Sequence, residues 1–168
     1  VSWFVDGTPT GISGATATLP LFAFSFGTHT ITARAMDSVG HALTDSNTVT
    51  LYNTPPTVTI TSPASGSTFY YGKSFYGWWG NTISFAGTSY DPNNDPSALP
   101  ATDVHWYLDQ QSTPFATGYS ASLSALGLSD GTHTVGFSGT DGTYSASASV
   151  SFTVAYWWPR PCCTLVQP

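Results

Sequence analysis

Val104-His105-Trp106-Tyr107-Leu108-Asp109 and Gly131-Thr132-His133-Thr134-Val135 decide the fold of this chain, because each stretch occurs twice. Val1-Ser2-Trp3-Phe4-Val5-Asp6 repeats the first and Gly27-Thr28-His29-Thr30-Ile31 repeats the second. The spacing of about one hundred residues is too long for a solenoid and suits a string of β-sandwich domains, each with its own core. In both copies apolar residues alternate with polar ones, which places one row on an inner face of a sheet. The repeat is out of phase: the second half of one module comes first, then the whole of the next.

Short β-branched or alternating runs bounded by Gly, Pro, Asn and Asp predict the strands of the complete module. They fall at 57–62, 81–90, 103–109, 118–125, 132–140 and 146–154, with a short extra strand near Phe69 or Phe115. Trp106 lies midway along the third and is expected to be the central core aromatic. The earlier module shows the same features from its third strand onward, over Trp3 and Val5, then 19–24, 31–36 and 49–52, so its first two strands are missing. Asn53-Thr54-Pro55-Pro56 reads as a short stiff linker, since two prolines fix φ and favour an extended path.

Composition agrees with an all-β chain. Charged residues make up 7% of the 168, hydrophobic residues 40% and aromatic residues 15%. Every acidic residue is Asp, the only basic residues are Arg34, Lys73 and Arg160, and Ser, Thr and Gly fill most other polar positions. Strand and turn formers therefore outnumber helix formers. A net charge of −6 leaves almost nothing to neutralise phosphates, which excludes nucleic acid and anionic lipid as partners. No apolar run is long enough to span a bilayer as a helix, so no membrane insertion is expected. Cys162 and Cys163 are adjacent, so neither sandwich holds an intersheet disulfide, and two thiols without a second ligand pair make no closed zinc site.

Several further stretches carry a resemblance. They are the Val104-x-Trp106-x-x-Asp109 strand, the Asp130-Gly131-Thr132-His133-Thr134-Val135 turn into a strand and the Thr140-Asp141-Gly142 turn out of it. Asp6-Gly7 and Asp37-Ser38-Val39-Gly40 echo them in the first module, and Pro55-Pro56-Thr57-Val58-Thr59-Ile60-Thr61-Ser62-Pro63 looks like a domain opening. Together they resemble the bacterial immunoglobulin-like (Big- and PKD-like) repeat domains of secreted and cell-surface proteins. The resemblance implies tandem immunoglobulin-like sandwiches: residues 1–53 as the C-terminal half of a first domain, 54–154 as a complete second, and 155–168 as an aromatic and Cys tail. It also implies an extracellular or cell-surface repeat used as a spacer, adhesive stalk or accessory module. That fold hosts many unrelated roles, so function has to be argued from sites.

Three features are candidate sites. Asp91, Asn93, Asp95, Asp103 and Asp141 lie on loops that an immunoglobulin-like sandwich brings to one end, and oxygen-only ligands on irregular backbone suit Ca²⁺. The bland alternative is that Asp, Asn and Pro cap turns there by bonding their own backbone. The aromatic run Phe69-Tyr70-Tyr71-Gly72-Lys73-Ser74-Phe75-Tyr76-Gly77-Trp78-Trp79-Gly80 offers Tyr70, Tyr71, Phe75, Tyr76, Trp78 and Trp79 for contact with a protein partner or with glycans, the alternative being a cover for the sandwich edge. Tyr156, Trp157 and Trp158 follow the last strand and could dock on another copy. A sandwich short of two strands exposes an apolar face, and strand donation from a neighbouring copy would fill it and build filaments.

Catalysis is not expected. No Gly-x-Ser-x-Gly, His-Glu-x-x-His or phosphate-loop pattern occurs, and His29 and His133 hold equivalent positions in the repeat, which marks them as structural. The expected role is a non-catalytic structural or adhesive repeat of a surface protein or fibre, with no cofactor unless calcium. The alternative is a carbohydrate-binding accessory module of a secreted polysaccharide-degrading enzyme.

Overall fold

The computed structural model describes residues 1–94 and 96–157. Two compact units divide the chain, Val1–Thr54 and Pro55–Pro168. Both are all-β; the only helical pieces among the described residues are single 3-10 turns at Leu21–Ala23, Ala101–Asp103 and Ala125–Gly127.

Unit 2 is an immunoglobulin-like sandwich. In chain order its strands are β5 (Thr57–Ser62), β6 (Ser67–Ser74), β7 (Gly77–Gly80), β8 (Thr82–Tyr90), β9 (Val104–Leu108), β10 (Ala116–Thr117), β11 (Ser120–Ser124), β12 (Gly131–Thr140) and β13 (Ser145–Tyr156). One sheet has the order β10-β9-β12-β13-β6-β7 and the other β11-β8-β5. All pairs are antiparallel except β6 on β13. The opening strand changes sheets: β5 runs along β8, its register shifts after Ile60, and past the cis Ser62–Pro63 peptide the chain joins the opposite sheet as β6.

Period-2 alternation in four strands aims Ile83, Phe85, Val104, Trp106, Val135, Phe137, Phe152 and Val154 between the sheets, where each is at most 1% exposed. The Trp106 and Phe137 rings stack at 4.4 Å and 30°, and the Trp106 indole N–H donates to Gly118 O at 2.8 Å, so a large polar-tipped ring is buried with its donor satisfied. Gly87 is required beside this pair, because a Cβ there would lie 2.6 Å from the Phe137 ring.

Unit 1 is a single antiparallel sheet of β1 (Ser2–Val5), β2 (Thr8–Ser13), β3 (Gly27–Met36) and β4 (Ala42–Leu51) in the order β2-β1-β3-β4. β1 and β2 are joined through Asp6-Gly7, both at positive φ, a two-residue hairpin turn of the kind Asp-Gly favours. Trp3 pairs with Ala33 as Trp106 pairs with Phe137, and its indole donates to Gly14 O at 3.1 Å. The strand expected over 19–24 does not form; a 3-10 turn stands at Leu21–Ala23, as Ala125–Gly127 does in unit 2. In unit 2 the strand ahead of that turn, β11, pairs with β8 of the second sheet. Unit 1 has no such partner strand among its described residues, so the corresponding stretch has nothing to bond to.

Candidate functional site

The aromatic run, where the sequence predicts no more than a short extra strand near Phe69, is a β-hairpin, β6–β7, extending the larger sheet of unit 2 beyond β13. Alternation along β6 explains its two characters. Phe69 turns in and meets Phe152 edge-on at 5.9 Å, whereas Tyr70 turns out and is 40% exposed. At the tip Phe75 and Tyr76 are 99% and 96% exposed, and Trp78 stands half out with the Lys73 ammonium 5.7 Å above its ring. Tyr71, Trp79 and Tyr156 are half-buried, and Trp157 is exposed. Burial and the Asp130 carboxylate raise the Tyr71 hydroxyl above its ordinary pKa. The exposed rings meet their neighbours edge-on: Phe75 and Tyr76 at 88°, Trp78 and Tyr156 at 72°, Trp79 and Trp157 at 63°. These pairs leave no shared flat platform among the described residues. Trp158, Cys162 and Cys163 lie outside the described residues.

At one end of unit 2, Asn94, Asp103 and Asp141 line a common open cleft of about 390 Å³ with Pro96, Ala98, Leu99 and Pro100. Each carboxylate already serves the backbone or a neighbour. Asp141 Oδ1 accepts from the N–H of Thr143 at 2.7 Å and of Tyr144 at 2.6 Å, and Asp103 Oδ1 accepts from Thr102. Asp91 is not in the cleft wall: it is 1% exposed, its Oδ1 accepts from Asn93 N–H at 2.8 Å, and its Oδ2 has no hydrogen-bond donor. The loop is pinned from inside, with Tyr119 OH donating to Leu99 O at 2.6 Å and Leu99 N–H donating to Ser89 Oγ at 2.9 Å. Asp95 lies outside the described residues, and among those described no three His, Cys or Asp side chains gather in a way that could hold a metal.

A feature the sequence reading missed is a clasp present in both units. His133 Nδ1 lies 2.7 Å from Asp109 Oδ2 and its Nε2 2.9 Å from Ser129 O, while Asp109 Oδ1 accepts from Thr134 N–H. His29 repeats this with Asp6 at 2.6 Å and Ser25 O at 2.8 Å, and Asp6 accepts from Thr30 N–H. Both ring nitrogens face acceptors, a setting only the imidazolium satisfies. Burial works against charge on Asp109 and His133, yet the hydrogen bonds outweigh it, holding Asp109 below and His133 above their ordinary pKa values. In unit 1 the mutual hydrogen bond of Asp6 and His29 is the largest cause of the same two shifts. The signal was in the sequence as a second coincidence: Asp6 and Asp109 repeat at nearly the same offset as the two histidines, one residue short of it.

Among the described residues of unit 1, no second sheet covers its inner face. Val5, Leu19, Phe24, His29, Ile31, Val49 and Leu51 line a cleft of about 140 Å³. Val5 is the one buried hydrophobic residue among the described side chains of this unit, Val49 is 44% exposed, and β4 is exposed from Ala42 to Thr50. The positions matching Val49 and Ile31 in unit 2 are Phe152 and Val135, both wholly buried.

Residues 56–136 match the family described as the bacterial Ig domain. A solved structure titled "Structures of Clostridium thermocellum CbhA fibronectin(III)-like modules" is similar at 16% identity and a TM-score of 0.45, covering 92% of this chain and 77% of that chain. No curated protein matches.

Proposed function

We propose, from the match of residues 56–136 to the bacterial Ig domain family, that this chain is a non-catalytic structural repeat of an extracellular surface protein or fibre. Two contact surfaces carry the role: the open inner face of unit 1 and the aromatic hairpin of unit 2. The observation that carries the reading is that unit 2 is a closed sandwich while the equivalent sheet of unit 1 has no second sheet over its apolar face among the described residues of that unit. Uncovered faces and free strand edges of this kind are completed by other strands or associate. The histidine–carboxylate pairs support the absence of chemistry, since in each clasp both ring nitrogens are occupied by structural bonds and neither is left to move a proton.

Sedimentation and negative-stain electron microscopy of the purified chain test this. Association that Phe75→Ser with Tyr76→Ser weakens, while unit 2 stays folded, is the expected result. A strict monomer at all concentrations, unchanged by those substitutions, overturns the adhesive role. Glycan binding is the lesser reading, because mutually perpendicular rings do not offer the flat stacking surface that sugar rings use. Retention on a glycan array, lost in Tyr76→Ser, would restore it.

A further inference from the structure

The aromatic hairpin of unit 2 ends in a rigid, convex tip whose polarity is graded. β6 and β7 pair down to Ser74 and Gly77, so the loop between them is only Phe75-Tyr76. Ser74 Oγ holds that loop from both sides, donating to Gly77 O at 3.2 Å and accepting from the Tyr76 N–H at 3.2 Å. The base is locked as well, since Gly80 lies so close to the turn at Ala125–Gly127 that a Cβ would come within 2.7 Å of the Leu126 backbone. Exposure then falls in steps away from the tip. Phe75 and Tyr76 are almost fully exposed, Trp78 in the next pair is half out, and Tyr71 and Trp79 behind it are half-buried. Charge is graded along the same axis. Lys73, paired across from Trp78, is the single charged residue of the hairpin. Asp130 adjoins Gly131, which is level with Val154 and through it with Phe69, six residues short of the tip and so about 20 Å behind it at the strand rise. Asp141 and the acidic loop lie at the opposite end of β13.

A convex tip with perpendicular rings gives a sugar no flat face, and its one side-chain hydroxyl, on Tyr76, gives a protein partner little to fix a register on. Its gradient does match a lipid interface, where apolar rings sit deepest, Trp and Tyr lie among the headgroups, and a Lys side chain reaches up to the phosphates. We infer that Phe75 and Tyr76 insert into the interfacial layer of a zwitterionic phospholipid bilayer, with Trp78 and Lys73 at the level of the headgroups. The Lys73–Trp78 pair stands roughly two residues, or about 7 Å, behind the tip, which falls within the 5–10 Å depth that interfacial anchors reach. At about 20 Å, Asp130 stays beyond the roughly 8 Å over which a charge is felt at physiological ionic strength. One lysine is far short of the basic cluster that anionic lipid selects, so the surface it fits is zwitterionic. No spanning helix is needed, because such an anchor enters only the headgroup and upper acyl region. Lipid is thus a partner of the hairpin beyond the protein contacts proposed for it.

Sedimentation of the whole chain with sucrose-loaded phosphatidylcholine vesicles measures the partition coefficient, and tryptophan emission reports the depth of Trp78. The unaltered chain is expected to partition with a blue shift, and Phe75→Ser with Tyr76→Ser to partition about tenfold less, since two buried rings are removed. Both side chains are almost wholly in water, so the double variant should keep the circular dichroism and urea midpoint of the unaltered chain. Phe75→Leu, which keeps the apolar tip without the ring, should stay within about threefold of the unaltered chain. Adding one-third phosphatidylglycerol should not strengthen binding. Absence of partitioning, equal partitioning by the double variant, a loss in Phe75→Leu as large as in the double variant, or binding to the anionic vesicles alone each overturns the inference. Sedimentation without lipid separates this from the proposed structural role. Chains that associate through the tip yet ignore vesicles have a second copy as the occupant, which overturns lipid insertion and leaves that role standing. Chains that stay monomeric without lipid yet partition through the tip support lipid insertion alone, and chains that do neither overturn both.

Discussion

Trp3 and Trp106 sit at the same place on equivalent strands, pair with equivalent neighbours and donate to equivalent glycine carbonyls, yet Trp106 is wholly buried and Trp3 is not. Local sequence settles the strand, the turn and the hydrogen bond in both units. Burial is settled by the opposite sheet, which only unit 2 has among the described residues. The stacking of Trp106 on Phe137 likewise has no counterpart in unit 1, where Ala33 stands in the ring's place. The hydrophobic term in a sandwich thus belongs to the pair of sheets rather than to either alone.

The sharpest way to break this comparison is to truncate both rings. Trp106→Ala should cost about 3–5 kcal/mol, the range for a fully buried large aromatic. Trp3→Ala should cost less, about 1–2 kcal/mol, since Trp3 is only partly buried and has no facing sheet among the described residues of unit 1. Urea unfolding followed by far-UV circular dichroism measures both. Equal losses would mean that the face of unit 1 is covered in solution.

That contrast also explains what the sequence could and could not reveal. The repeat made the strands around Trp3 and Trp106 legible, and alternation within the repeated stretches points Val104, Trp106 and Val135 inward, as they stand in the structure. The strand expected over 19–24 failed because β pairing is non-local: Leu19 matches Leu123 of β11, which is a strand only because β8 lies beside it. The aromatic hairpin extends beyond the short strand expected near Phe69 for the converse reason. Its Gly72, Gly77 and Gly80 look like turn residues, but a Cβ at Gly72 would meet the Trp79 ring at 3.0 Å and one at Gly80 would meet Leu126 at 2.7 Å, so two of the three are there for close packing. Of the acidic residues, Asp103 and Asp141 line one cleft, whereas Asp91 turns inward, a matter of side-chain direction that loop composition does not encode.

A smaller effect sharpens the comparison at Gly87. Gly87→Ala places a methyl group against the Phe137 ring, where a Cβ would lie 2.6 Å from it. Overpacking of this kind costs about 1–3 kcal/mol. Combined with Phe137→Leu, part of that cost should return, since the shorter side chain frees the space the methyl group needs. A double-mutant cycle in urea checks it; strict additivity would show that the two positions do not touch.

The smallest effect separates the units by pH. In unit 2 the folded pKa of His133 is raised and that of Asp109 lowered. Stability from the histidine is fully present below its unfolded pKa of about 6.5 and is lost as pH rises through the raised folded value. Stability from the aspartate is present above its unfolded pKa of about 3.9 and is lost as pH falls through the lowered folded value. The clasp therefore contributes most between about pH 4 and about pH 6.5, so the urea midpoint should decline toward pH 8 as well as toward pH 2. The neighbouring groups do not reverse this. Phe152 stacks on the His133 ring at 5.6 Å, and the nearby carboxylate of Asp130 interacts with Tyr71. The equivalent pair in unit 1 should respond in the same direction but more weakly, because its Asp6 side chain is 50% exposed against 41% for Asp109 and water screens it more. Asp109→Asn should flatten most of the decline between pH 6 and pH 8, and Asp6→Asn should flatten little. A midpoint that is level over that interval in the unaltered chain would mean that His133 stays neutral, with one ring nitrogen facing an acceptor it cannot donate to.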